Sequence, residues 1–91
     1  MFNSQGNDVI MCRYPPSPAP GFVPHCSGRR TDQGLLKNMV CSFTYIWTER
    51  SGSFWFFPIY CSPGGVLSGY QWKRGGWEYA EIIVAQIVSF Y

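Results

Sequence analysis

The sequence is short of charged side chains and lacks the residue sets on which most enzymes depend. Charged residues make up 13% of its 91 residues and the net charge is +2, whereas about 25% of an average protein is charged. The basic residues are scattered, which argues against a nucleic-acid surface. The single histidine, His25, follows a proline in a turn-rich stretch, without the nucleophile and third group that a hydrolase needs. We therefore expect no enzyme activity and no cofactor.

The cysteines lack the spacing of a metal site or a redox motif. Cys12, Cys26, Cys41 and Cys61 are 14, 15 and 20 positions apart, and no Cys-x-x-Cys occurs. We expect no metal, although His25 beside Cys26 leaves a set of four ligands open. Cys41 lies within a predicted strand, where we expect a buried free thiol. Cys12 and Cys26 flank a proline-rich stretch and are the disulfide candidates, within one chain or between neighbours.

Long apolar runs are also missing. The stretch 82–88 is apolar except for Gln86, and it is far shorter than the ~20 residues of a membrane helix. No membrane span is predicted. Residues 1–8 lack the basic start and the apolar run of a secretion signal. We expect an extracellular or surface location that is reached without Sec export.

Prolines, in contrast, are concentrated near the N-terminus. They fix φ and remove backbone donors, so this stretch is predicted to be extended and unable to join a sheet interior. At ~3.1 Å per residue it would span roughly 30 Å, enough to place the apolar run at 9–14 on a neighbouring subunit. The alternative is that this stretch is a disordered tail. We predict an extended Pro-rich arm, 1–24, and a single β domain, 25–91. The five prolines of the arm are Pro15, Pro16, Pro18, Pro20 and Pro24.

Aromatic residues are abundant and follow the alternation of β-strands. Phe, Trp and Tyr make up 19% of the chain. Alternate positions of a strand face the same side, so the stretch 39–47 is predicted to place its larger side chains on one face. These are Met39, Cys41, Phe43, Tyr45 and Trp47.

Glycine-rich turns divide the rest of the chain into four predicted strands, at about 35–48, 54–61, 66–73 and 77–91. Pro58 in the second strand indicates a sheet edge or a bulge. The last segment also fits a helical stripe, but its β-branched residues and the tight turn before it favour a strand. We predict an all-β fold, a small antiparallel meander that forms a sandwich or an open barrel.

A small domain with many rings and few charges is expected to use part of its aromatic surface as an interface. Our leading hypothesis is a self-assembling structural protein whose β domain polymerises into a filament or layer, with the arm on a neighbouring subunit. Exposed strand edges offer a second mode of contact. The residues predicted to bind are Val9, Ile10, Met11, Cys12, Tyr14, Phe54, Trp55, Tyr70, Trp72 and Trp77.

The alternative hypothesis is a small binding module. Exposed rings stack on sugars and on nucleic-acid bases, and several aromatic residues of the predicted strands would form a flat platform. In this reading the partner is a carbohydrate or, less in keeping with the scattered charges, a single-stranded nucleic acid. The platform residues are Trp55, Tyr70, Trp72, Trp77 and Tyr79.

The stretch from Met11 to Cys26 combines Tyr, Pro and Gly with scattered Cys, and the runs 54–58 and 69–72 add aromatic residues. In composition the chain resembles the small coat and surface proteins of bacterial endospores. That resemblance implies a protein that is made in the mother-cell cytoplasm and deposited on the spore surface by self-assembly and cross-linking.

Overall fold

A computed structural model describes residues 14–24 and 38–91 of the chain. Five strands and one short 3-10 helix account for the regular structure of these residues. In chain order they are β1 (Thr44–Thr48), β2 (Ser53–Cys61), β3 (Val66–Lys73), β4 (Gly76–Ile83), the 3-10 helix η1 (Val84–Gln86) and β5 (Ile87–Phe90). The predicted all-β class is confirmed.

The five strands form one antiparallel sheet in the order β4-β3-β2-β1-β5. Strands β1 to β4 are a meander, and β5 returns to pair with β1. The sheet is one layer and is not closed, because its edge strands β4 and β5 do not pair. Five flat strands would separate these edges by roughly 19 Å, whereas the four residue steps from Ile83 through η1 to Ile87 span about 14 Å at most. The sheet must therefore curl into an open barrel.

The concave side of the curled sheet holds an apolar interior. Ile46, Phe56 and Leu67 have no solvent-exposed surface, and Ile82, Ile87 and Phe90 pack with them. Buried Thr44 lies on the same side as Ile46, and its hydroxyl donates to the Ser42 carbonyl at 3.2 Å, which satisfies a polar group away from water. The convex side carries a second cluster, which is built mainly of aromatic rings.

The predicted bounds of the second and third strands agree with β2 and β3, which begin and end at turns. Pro58 lies at a bulge, since the register shifts between Pro58 and Tyr60, and β2 is a central strand rather than an edge. Opposite the bulge, Gly69 of β3 pairs with Pro58 of β2. A Cβ at Gly69 would lie 2.3 Å from the Phe57 carbonyl oxygen, so the bulge requires glycine there.

The predicted first strand is too long at its N-terminal end. Residues 38–41 form a turn, and β1 begins only at Thr44. Cys41 has a φ of 68° and an exposed side chain, and the free cysteine of the described residues is Cys61. The predicted buried free thiol at Cys41 is therefore wrong. Met39 packs against the concave interior and not with the outer rings, because the turn breaks the alternation.

The predicted last strand, 77–91, is two strands. The chain leaves β4 after Ile83, makes the single turn of η1, and returns as β5. Two backbone hydrogen bonds hold η1 in place: Val84 N–H donates to the Gly65 carbonyl, and Glu49 N–H donates to the Gln86 carbonyl. Between β3 and β4, Arg74 and Gly75 both have positive φ, 54° and 78°, which is the type I′ geometry of a two-residue hairpin loop.

Candidate functional site

The convex side of the sheet presents a continuous aromatic surface, called here the aromatic face. It forms because residues directly opposite each other on neighbouring strands point to the same side. The register pairs Tyr45 with Trp55, Phe57 with Tyr70, and Trp72 with Trp77. The aromatic face consists of Phe43, Tyr45, Trp47, Trp55, Phe57, Tyr70, Trp72 and Trp77.

The rings of the aromatic face contact one another edge to face and by stacking. The ring centroids of Tyr45 and Trp55 are 5.1 Å apart, and those of Trp72 and Trp77 are 5.0 Å apart. Phe43 stacks on Trp77 with an interplanar angle of 15°. Each such pair contributes about 0.5–1.5 kcal/mol to stability, in addition to the free energy gained by burying its surface. The rings of the face therefore stabilise one another as well as the sheet.

Residues 14–24 of the Pro-rich arm lie across this face. Ala19 packs against the aromatic cluster, and Pro15 and Pro24 are buried. The Tyr14 ring meets Tyr70 edge to face at 5.1 Å, and the Phe22 ring meets Trp55 at 5.6 Å. The arm thus contacts the sheet near both of its described ends.

Two tryptophan indoles hydrogen-bond to the backbone of the arm. Trp77 Nε1–H donates to the Ser17 carbonyl at 2.8 Å, and Trp55 Nε1–H donates to the Phe22 carbonyl at 2.9 Å. In addition, the Tyr14 hydroxyl donates to the Trp77 carbonyl at 3.3 Å. Residues 14–24 bend at 16–17 and 21–22 and make no backbone hydrogen bonds among themselves, so their carbonyls are free to accept. An indole N–H is a donor only and matches them.

Together these contacts have the form of proline-rich peptide recognition. Small β domains bind polyproline segments in grooves lined by aromatic rings, because the extended segment loses little conformational entropy on binding. Here the segment belongs to the same chain as the groove. Trp55 and Trp77, which donate to it, are 7% and 9% exposed, so the arm and its neighbours cover both rings.

The structure brings together five of the residues that the sequence predicted to bind. Tyr14, Trp55, Tyr70 and Trp77 lie at the contact between the arm and the aromatic face, and Trp72 joins them through its ring contact with Trp77. Phe54 does not join them, since it packs against the concave interior.

The remaining predicted site residues lie outside the described part of the chain. These are Val9, Ile10, Met11 and Cys12, the disulfide candidates Cys12 and Cys26, and His25.

The platform predicted for a carbohydrate or a nucleic acid overlaps the arm's site. Trp55 and Trp77 are buried, and Tyr70 is in contact with Tyr14. Tyr79, which is 57% exposed, lies beside Tyr70 at a ring distance of 5.9 Å, and its hydroxyl donates to the Glu81 carboxylate. A sugar or base would have to displace the arm before it could stack on Trp55 or Trp77.

The binding residues predicted from the sequence omit several parts of the site, including the Phe22 ring of the arm and the Phe43 and Trp47 rings of the face. Tyr45 and Phe57 were not singled out as binding residues, and the arm carbonyls of Ser17 and Phe22 were not recognised as acceptors. A signal was available for Tyr45 and Phe57, because they lie at even spacings from Trp47 and Trp55 in predicted strands. The carbonyl positions depend on the path of the arm, which no local pattern specifies.

Charged groups take little part in the site. Lys73 and Arg74 are exposed at the hairpin between Trp72 and Trp77, and Glu78 and Glu81 are exposed along β4. Among residues 14–24 and 38–91, no group of three or more His, Cys, Asp or Glu side chains is placed to hold a metal ion. What the described arrangement offers is a binding surface of rings and indole donors.

In comparisons with known proteins, the chain matches no protein-family model, no curated protein and no solved structure. Within the described residues, no helix has the length and apolar character needed to cross a membrane.

Proposed function

We propose that the protein is a self-assembling structural protein in which the arm of one subunit docks on the aromatic face of its neighbour. The observation that carries this proposal is the fit between residues 14–24 and that face, with two indole N–H groups on arm carbonyls. These contacts are non-covalent, so the same arm can make them on another copy. Exchange of an identical element between subunits is a low-cost route to oligomers.

The large number of aromatic rings and the small number of charged residues support the same proposal. Without the arm, the face would present the rings of Trp55 and Trp77 to water, and large exposed apolar patches mark interaction sites. Each subunit carries one arm and one face, and these are different surfaces. Such head-to-tail contacts give a closed ring or an open filament, depending on whether the rotation between subunits closes.

Further contacts would extend the assembly into a filament or layer. The outer edge of β4 (Gly76–Ile83) lies at one margin of the sheet, and an unpaired strand edge can pair with a strand of another subunit. Disulfides of Cys12 and Cys26 would then lock docked arms covalently. The location that fits this role is extracellular or on a spore surface.

A complementation experiment tests whether the arm acts between subunits. One variant keeps its arm but has a defective face, Trp55→Phe with Trp77→Phe; the other keeps its face but has a defective arm, Tyr14→Ala with Phe22→Ala. Each variant alone should form smaller particles than wild type, whereas an equimolar mixture should form heterodimers, because one intact arm meets one intact face. Size-exclusion chromatography with light scattering measures the masses.

The control for the complementation experiment is Trp47→Phe, which makes the same ring change on the aromatic face. Trp47 contacts Tyr45 at 5.0 Å, and the structure shows no indole hydrogen bond from Trp47 to residues 14–24. This variant should assemble like wild type. If both double variants also assemble like wild type, the arm is not the contact between subunits.

A further inference from the structure

We propose that the aromatic face is a recognition site for proline-rich segments of partner proteins, and that the chain's own arm occupies it as an intramolecular competitor. The inference rests on the same face as the proposed function but does not require self-assembly. The positions of the docked arm that the face contacts indicate which segments the face recognises.

The face contacts the arm mainly at its two ends. At the first end, the Tyr14 ring lies on Tyr70 and Pro15 is buried. At the second end, the Phe22 ring lies on Trp55 and Pro24 is buried. The two ends have the same chemistry, an aromatic ring followed closely by a buried proline. The spacing from Tyr14 to Phe22 is eight positions.

Between the ends, the face contacts backbone more than side chains. The Trp77 indole binds the carbonyl of residue 17 there, and at the second end the Trp55 indole binds the carbonyl of residue 22; every residue type supplies a carbonyl. Residues 16, 17, 18, 21 and 23 are exposed. Ala19 packs against the rings, which favours a small side chain at that position.

A site that contacts so few side chains accepts segments of different sequence. The ligand class is a proline-rich segment that carries aromatic-Pro at its start and aromatic-x-Pro eight residues later, with a small residue between. Its backbone must make no hydrogen bonds of its own, because the carbonyls then stay free to accept from the indoles. The arm is such a segment, attached to its own site, so a partner's segment must compete with it at the high effective concentration of an intramolecular ligand.

The test uses the full-length chain and three labelled synthetic peptides. The native peptide has the sequence of residues 14–24. The permissive peptide changes exposed positions only, Pro16→Ala, Ser17→Gln and Val23→Lys. The disabled peptide changes buried positions only, Pro15→Gly and Pro24→Gly. Fluorescence anisotropy measures the Kd of each for wild type and for a chain with a weakened arm, Tyr14→Ala with Phe22→Ala.

For the weakened-arm chain we expect the permissive peptide to bind within about 3-fold of the native one. The disabled peptide should bind at least about 10-fold more weakly, because it loses buried contacts and gains backbone freedom. Adding Trp77→Phe should weaken native-peptide binding by about 3- to 10-fold, the effect of one hydrogen bond, whereas adding Trp47→Phe should not. Wild type should bind the native peptide at least about 10-fold more weakly than the weakened-arm chain.

Any of the following results would overturn the inference. Binding of the native but not the permissive peptide would mean that the face accepts its own arm alone. Equal binding of the permissive and disabled peptides, or binding unaffected by Trp77→Phe, would mean that the peptides do not use this site. If the weakened-arm chain does not fold, NMR of wild type replaces it: the permissive peptide should shift the indole N–H signals of Trp55 and Trp77, and unmoved signals at saturating peptide would overturn the inference.

The outcome separates this inference from the proposed function. Peptide binding by a protein that never assembles would support the recognition site and contradict the structural role. Assembly that depends on the arm, without binding of the permissive peptide, would support the structural role and contradict the inference.

Discussion

Trp77→Ala is expected to lower the free energy of unfolding by about 3–5 kcal/mol, the usual cost of removing a buried tryptophan or phenylalanine. Trp77 is 9% exposed and packs on Phe43, Phe57 and Trp72. Its indole also donates to the Ser17 carbonyl. The substitution therefore opens a cavity in the aromatic face and removes one attachment point of the arm.

For a domain of this size, such a loss should lower the melting temperature by at least about 12 °C. Thermal and urea denaturation, followed by circular dichroism, measure it. Tyr79→Ala is the matched control, because Tyr79 lies on the same strand and face but is 57% exposed. It should cost less than about 1 kcal/mol. A Trp77→Ala protein as stable as the Tyr79→Ala protein would contradict the packing of the aromatic face.

Gly69→Ala should have a comparable effect for a different reason, namely overpacking at the β2 bulge. The added Cβ would lie 2.3 Å from the Phe57 carbonyl oxygen, 2.8 Å from Pro58 Cα and 2.9 Å from the Phe56 ring. Two of these atoms are backbone of a central strand and cannot move aside cheaply. We expect a loss of at least about 3 kcal/mol, at the upper end of overpacking effects.

Gly64→Ala is the control for the Gly69 substitution. Gly64 lies in the turn between β2 and β3, where an added Cβ would meet only the Ser62 hydroxyl, at 3.8 Å. This variant should unfold within about 0.5 kcal/mol of wild type. Urea midpoints of the two variants give the comparison directly. Equal midpoints would show that β2 and β3 do not approach each other at the bulge as described.

The strands β2 and β3 were predictable because two local signals agree at their ends. Each strand is a run rich in aromatic and β-branched residues, and turns rich in Gly, Ser and Pro bound it. The start of β1 was not predictable in this way, since the alternation runs on through Met39 and Cys41 although the backbone turns there. The break between β4 and β5 depends on the curl of the whole sheet, which no local pattern encodes.

The site was predictable in its residues more than in its geometry. Trp55, Tyr70, Trp72 and Trp77 stand out as large rings in predicted strands, and Tyr14 stands out beside the prolines. Phe54 was assigned to the same surface, although adjacent positions of a strand face opposite sides and Trp55 occupies the outer one. The arm lies across the face of its own chain through contacts between residues as distant as Ser17 and Trp77. Sequence order does not reveal such contacts.

The most direct test of the central claim is negative-stain electron microscopy of the purified wild-type protein beside the Trp55→Phe, Trp77→Phe variant, each with and without reductant. We predict regular filaments or layers for wild type and their loss in the variant. Loss of the wild-type assemblies under reductant would assign the cysteines a cross-linking role. Small monodisperse particles in every wild-type sample would contradict the claim that this protein assembles through its arm and aromatic face.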